Sequence, residues 1–205
     1  MAILDDWFYT ELEHIRHKWQ KFVTSCYIIG GRVVTVPEER DDITGASVVI
    51  PVVHHEVHEG ETFQASYYNG AVANAGTIEI LLVTAAAHTA HLTFDVAAGG
   101  DAHVELLQNV TVNVAGTAIT ERNLNRTASD GDVTVTATHT PTVVGGQVLS
   151  TFLAPGGTGP RAAGGTGRPS TEWLLAKSKN YLIRGTNVSG NNQPMSIVVQ
   201  WYEEE

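Results

Sequence analysis

The chain has a single cysteine, Cys26. No intramolecular disulfide can form, so the fold does not depend on oxidation. A lone thiol inside an apolar stretch reads as a small buried hydrophobe rather than a nucleophile. Basic residues are also scarce: 12 Lys and Arg stand against 22 Asp and Glu, a formal net charge of −10. An acidic surface repels phosphate backbones, which argues against direct nucleic-acid binding. No window approaches about eighteen uninterrupted apolar residues, so no membrane span is expected. No basic stretch precedes an apolar run at the N-terminus, so no secretory signal is expected. The sequons at Asn109, Asn125 and Asn187 then read as coincidences of an Asn/Thr-rich chain. Aromatic residues make up only 7% of the chain, with no excess from which to build a glycan-stacking platform.

What the chain does have is Gly, Ala, Thr and Val, the composition of short strands and tight turns. Its 205 residues suit one all-β domain carrying an extra arm. Residues 4–23 form the one good helical pattern. Leu4, Trp7, Phe8, Leu12, Ile15, Trp19, Phe22 and Val23 recur at three- and four-residue steps. Asp5 and Asp6 sit near its start, and His17, Lys18 and Lys21 near its end, as the helix dipole favours. This helix either packs on its own domain or is an arm whose aromatic face docks on a neighbour. Gly30-Gly31 marks a break, and residues 37–45 form a charged connector.

From residue 46 to the end the pattern is β. Strands are predicted over 46–53, 62–68 (ending at the turn Asn69-Gly70), 77–85, 91–96, 102–107, 132–140, 147–153, 171–176, 181–188 and 195–203. Strands without intervening helices imply an antiparallel β-sandwich or jelly roll. The organisation is therefore an N-terminal helix and connector over 1–45, then a sandwich over 46–205. A Gly/Pro-rich loop at 154–170 interrupts the sandwich. That loop contains GGTG twice, but no Gly-Lys-Ser/Thr leads into a helix, so it is not a phosphate-binding loop. A loop of this length in a compact domain is usually functional. Arg161 and Arg168 within it, and Trp7, Phe8, Leu12 and Trp19 in the arm, are the candidate interface residues.

The stretch "HHEVHEGETF" packs three histidines and three glutamates into 54–61. A zincin-type pair needs two histidines one helical turn apart. Counted from His55, His58 falls one residue short, and Val57 and Gly60 argue against a helix. As a strand, the segment would place His54, Glu56 and His58 on one face. Metal-binding cupins need H-x-H with a later His, but Glu56 stands where the second His would fall and no histidine follows His139. The expectation is no metal and no cofactor. His88, His91 and His103 could meet only through the fold. There is no G-x-S-x-G elbow. Asp95, Asp101 and Glu105 could pair in principle as in a glycosidase, but on alternating strands they are expected to face solvent. No catalytic residue is assigned and the chain is not expected to be an enzyme.

The C-terminal third, "STEWLLAKSKNYLIRGTNVSGNNQPMSIVVQWYEEE", resembles the end of a family of bacteriophage virion proteins. The matching positions are Glu172 and Trp173; Asn180, Tyr181, Leu182 and Ile183; Thr186 and Asn187; and Trp201, Tyr202 and Glu203. Upstream, "VHEGETF" (57–63), "ILLVTA" (80–85) and the Asn-x-Asn-Arg element at Asn123, Asn125 and Arg126 are similar as well. The resemblance covers residues 54–203, as short segments rather than one chemical signature. It implies a jelly-roll decoration (cement) protein, commonly a homotrimer, bound to the major capsid protein on the outer surface of the virion head. Such a protein is made in the host cytoplasm and catalyses nothing. The Gly/Pro-rich loop and the aromatic helix depart from the family pattern. A second reading is a tail or fibre module gripping host glycans through Tyr67, Tyr68 and Trp173. A third is a cupin-like metalloenzyme.

Overall fold

A computed structural model of the chain describes residues 24–29, 32–37, 52–130, 134–156 and 172–204. The predicted arm helix at 4–23, most of the connector and loop residues 157–171 lie outside the described residues. Trp7, Phe8, Leu12, Trp19, Arg161 and Arg168 lie there too. The chain divides into two compact units, Met1–Pro51 and Val52–Glu205. In the first, β1 (Thr24–Ile29) pairs antiparallel with β2 (Arg32–Pro37). Ile29 pairs with Arg32, so the Gly30-Gly31 break joins the two strands of a hairpin that the sequence reading did not anticipate.

The second unit opens with a helix, α1 (Val52–Glu59). This corrects the expected strand at its last two residues, Val52 and Val53, and the extended reading of His54–His58; residues 46–51 lie outside the described residues. Pro51 is tolerated just before a first helical turn, whose N–H groups need no intrahelical partner. Gly60, thought to oppose a helix, is its stop. With φ of +85° it takes the left-handed conformation, and Gly60 N–H donates to Val57 O (3.3 Å) while Glu61 N–H donates to Glu56 O (3.0 Å). A Cβ at Gly60 would also lie 2.8 Å from Ala128 Cβ.

The remaining strands are β3 (Thr62–Val72), β4 (Thr77–Thr84), β5 (Thr89–Ala98), β6 (Ala102–Gln108), β7 (Thr111–Val114), β8 (Thr117–Ile119), β9 (Arg122–Asn123), β10 (Val135–His139), β11 (Thr142–Val144), β12 (Gln147–Ala154), β13 (Trp173–Leu175), β14 (Asn180–Asn187) and β15 (Gln193–Glu204). β3 runs through Asn69-Gly70 rather than turning there, because Met195, Ser196 and Ile197 of β15 pair with Asn69, Tyr68 and Tyr67. One sheet has the order β12-β6-β14-β4-β10-β8 and the other β13-β5-β15-β3-β9, with antiparallel neighbours throughout. Within them, β12-β6-β14-β4 faces β13-β5-β15-β3. In chain order these eight strands alternate between the sheets except at β6 and β12, which are neighbours in one sheet, as in a jelly roll. β7 to β11 all belong to the connection between β6 and β12. They extend both sheets past β4 and β3 and add a separate β7-β11 ribbon.

Alternation places Ile78, Ile80 and Leu82 of β4, Leu92 and Val96 of β5, Val104 and Leu106 of β6, and Ile197, Val199 and Trp201 of β15 in one buried core. Phe63 stacks on Trp201 at 6.0 Å within it. Each fully buried side chain of this kind contributes about 1.5–3 kcal/mol of burial. Gly185 of β14 also faces the core: a Cβ there would lie 3.0 Å from Met195 Cε and 3.1 Å from Ile78 Cγ2. A second, smaller core forms on the opposite face of the six-stranded sheet. Leu81, Leu107, Val110 and Leu182 are buried there, with Val112 of β7 and Val143 of β11 packed on them.

Candidate functional site

Polar side chains gather where α1 feeds into β3. The last strand supplies them by simple alternation. Trp201 and Glu203 point inward, whereas Tyr202 points outward, opposite His91 of β5. The Tyr202 ring stacks on the His91 imidazole, with centroids 4.4 Å apart and planes 13° apart. Glu172, just before β13, closes the group. The Tyr202 hydroxyl donates to Glu172 Oε1 at 2.6 Å, and His91 Nδ1 contacts the same oxygen. His91 Nε2 lies 3.4 Å from Glu204 Oε2. Burial raises the Tyr202 pKa, and the hydrogen bond to Glu172 together with the charges of Glu172, Glu204 and Glu56 raises it further. The phenol therefore stays protonated and donates. The same hydrogen bond from Tyr202, with help from His91, lowers the Glu172 pKa against its desolvation.

On the inner side, Glu203 is buried and fully engaged. Its Oε1 accepts from Thr134 N (2.9 Å), Val135 N (3.2 Å) and Trp201 Nε1 (3.0 Å), and its Oε2 accepts from Thr134 Oγ1 (2.7 Å). It ties β15 to the start of β10. A third knot locks α1 in place. Buried Asn123 donates from Nδ2 to Gly60 O (2.5 Å) and Ser129 O (3.1 Å), and Asn125 Nδ2 donates to His58 O (3.0 Å). Asp130 accepts from Asn123 N (2.7 Å), Arg126 (2.7 Å) and Arg122 (2.9 Å). Those bonds, Arg126's first, hold the Asp130 carboxyl far below the usual carboxylate range. At the opposite end of β14, Asn187 is fully buried. Its Nδ2 donates to Val72 O (2.8 Å) and Asn191 O (2.7 Å), and its Oδ1 accepts from Ser189 N (2.9 Å) and Gln193 Nε2 (2.8 Å).

The histidines named in the sequence fall into separate neighbourhoods. His54 and His58 share a face of α1, while His55 lies near Glu56 and Glu59. His88 Nδ1 stands 3.8 Å from Glu203, and His103 Nε2 bonds Thr151 Oγ1 at 2.7 Å. The three carboxylates considered for a glycosidase pair belong to different elements. Asp95 lies on β5, Glu105 on β6 in the other sheet, and Asp101 accepts from Gly156 N at 3.1 Å. Of the three aromatics considered for sugar stacking, Tyr67 and Trp173 pack against the core, and Tyr67 stacks on His139 at 4.0 Å. Tyr68 alone of the three stands out, 66% exposed. The sequence reading gave no role to Glu172, Tyr202, Asn123, Arg126 or Asn187. Its only signal for them was that the phage-protein resemblance ran through each. A scan against protein-family models finds no match for this chain, and a search of the curated proteins finds none either.

Proposed function

We propose that the chain is a non-enzymatic structural protein of a bacteriophage virion, a decoration protein that binds the major capsid protein on the outer head surface as a homotrimer. One observation carries the reading. The residues on which the resemblance rests include those that hold the jelly roll together. Glu172, Trp201, Tyr202 and Glu203 fasten the last strand, Asn123 and Asn125 fasten the end of α1, with Arg126 bracing their loop through Asn123 O and Asp130, and Asn187 fastens the far turn. Their polar atoms are spent on one another and on the backbone, so what they produce is rigidity. A rigid, acidic β module suits a protein that crowds onto a repeating lattice, where avidity converts modest contacts into durable attachment.

The test is immunogold labelling of intact source particles with antibody against this protein. Label spread over the head is the expected outcome. Label confined to the tail would replace the reading with the glycan-binding one, and unlabelled particles would end the virion assignment.

A further inference from the structure

We propose that α1 carries a binding site for a late first-row divalent metal ion, formed by the Nε2 atoms of His54 and His58. Four-residue spacing on a helix stacks side chains one turn apart. Here it brings the two Nε2 atoms to 3.0 Å, with the rings meeting edge to face at 4.6 Å and 78°. The two nitrogens share one hydrogen bond, in which one imidazole donates and the other accepts. A cation bound by both nitrogens takes the place of that proton, lying to one side of the line between them with a small turn of each exposed ring.

The geometry selects the ion. Imidazole nitrogens bind such metals at about 2.0–2.1 Å. Two of them 3.0 Å apart therefore subtend an angle of about 90° at the ion. That is the bite of adjacent positions in square-planar or octahedral coordination, which suits Ni²⁺ or Cu²⁺. Both imidazoles are exposed, so the remaining positions face water. Glu56, Glu59 and Glu61 concentrate negative charge around the turn and favour cation entry.

The neighbouring group His55, Glu56 and Glu59 also gathers donor atoms within 4.8 Å. It is the weaker chelate, because His55 turns Nδ1 towards Glu56 (3.5 Å) and Nε2 towards Glu59 (3.4 Å), on opposite sides of its ring. An eight-residue helix is marginal alone, so an ion joining its successive turns would also staple it.

The experiment is calorimetric titration of the full chain, without an affinity tag, with Ni²⁺. Parallel titrations use His54→Ala, His58→Ala, His55→Ala and the double variant His14→Ala/His17→Ala. One equivalent bound by the wild type, weakened on the order of tenfold or more in His54→Ala and in His58→Ala, is expected, since either change turns a chelate into a single ligand. His55→Ala and the double variant should bind as the wild type does. Imidazole ¹⁵N spectra with Zn²⁺ should show the Nε2 signals of His54 and His58 shifting together, which gives the same answer without a variant. No wild-type binding, binding indifferent to His54 and His58, or binding lost with His55 or with His14 and His17 would each overturn the proposal.

Discussion

Glu172 sits thirty residues from Tyr202 in the chain, yet its carboxylate receives the tyrosine's proton-bearing oxygen. Because its pKa is lowered on folding, the stabilisation it supplies is complete above its ordinary value of 4.5 and fades as pH falls through the lower folded value. Asp130 acts in the same direction, with Arg126 and Arg122 as its partners. Denaturation of the wild type measured from pH 7 down to pH 3 should therefore show an acid limb that is shallower in Glu172→Gln. Identical limbs would mean that the bond in question contributes nothing. Asn187 makes a different case, since no charge is involved. Its removal as Asn187→Ala takes a donor from the carbonyls of Val72 and Asn191 and an acceptor from Ser189 N and Gln193 Nε2. Unmade buried hydrogen bonds should cost about 2–3 kcal/mol, readable as a lower urea midpoint.

At the scale of elements, the β7-β11 ribbon behaves as a cover. It shields Leu81, Leu107 and Leu182, which lie on the face of the six-stranded sheet turned away from the main core. Val143→Asp should lift it at a cost of about 1–3 kcal/mol. Amide exchange should then accelerate in β7 and β11 while β4, β6 and β14 stay protected. Uniform acceleration would show instead that ribbon and sandwich open together. The elements also differ in how far their sequence betrays them. β5 and β10 were readable because each is half-buried, with Leu92 and Val96, or Val135 and Ala137, on the covered face. β7, β8 and β11 are three or four residues long and mostly exposed, so no period can emerge. α1 is hidden in the sequence because Val52 and Val53 after Pro51 look like a strand, and because the one-turn partner of His58 is His54 and not the His55 that opens the His-Glu pair. The Tyr202–His91–Glu172 group was illegible for another reason. Its members meet through the β13-β5-β15 strand order, a tertiary fact that spacing along the chain does not encode.

For the molecule as a whole, the proposed attachment to a capsid makes the N-terminal segment testable. The aromatic pattern of residues 4–23 predicts that deleting residues 1–23 abolishes particle binding and leaves the near-ultraviolet circular dichroism of the sandwich intact. Undiminished binding would discard the arm. The sandwich itself has a strand order with a consequence in time. β15 lies between β3 and β5, paired along nearly its whole length with both, although it is the last of these strands in the chain. Neither β3 nor β5 has its principal neighbour until residues 193–204 have been made. On the ribosome, the five-stranded sheet must therefore wait open at its centre, with Phe63, Leu92 and Val96 uncovered, until synthesis of the domain is almost finished. A transcript cut short before Gln193 should yield no folded domain at all, and the cell should see such a product as a substrate for chaperones and proteases rather than as a slightly shorter protein.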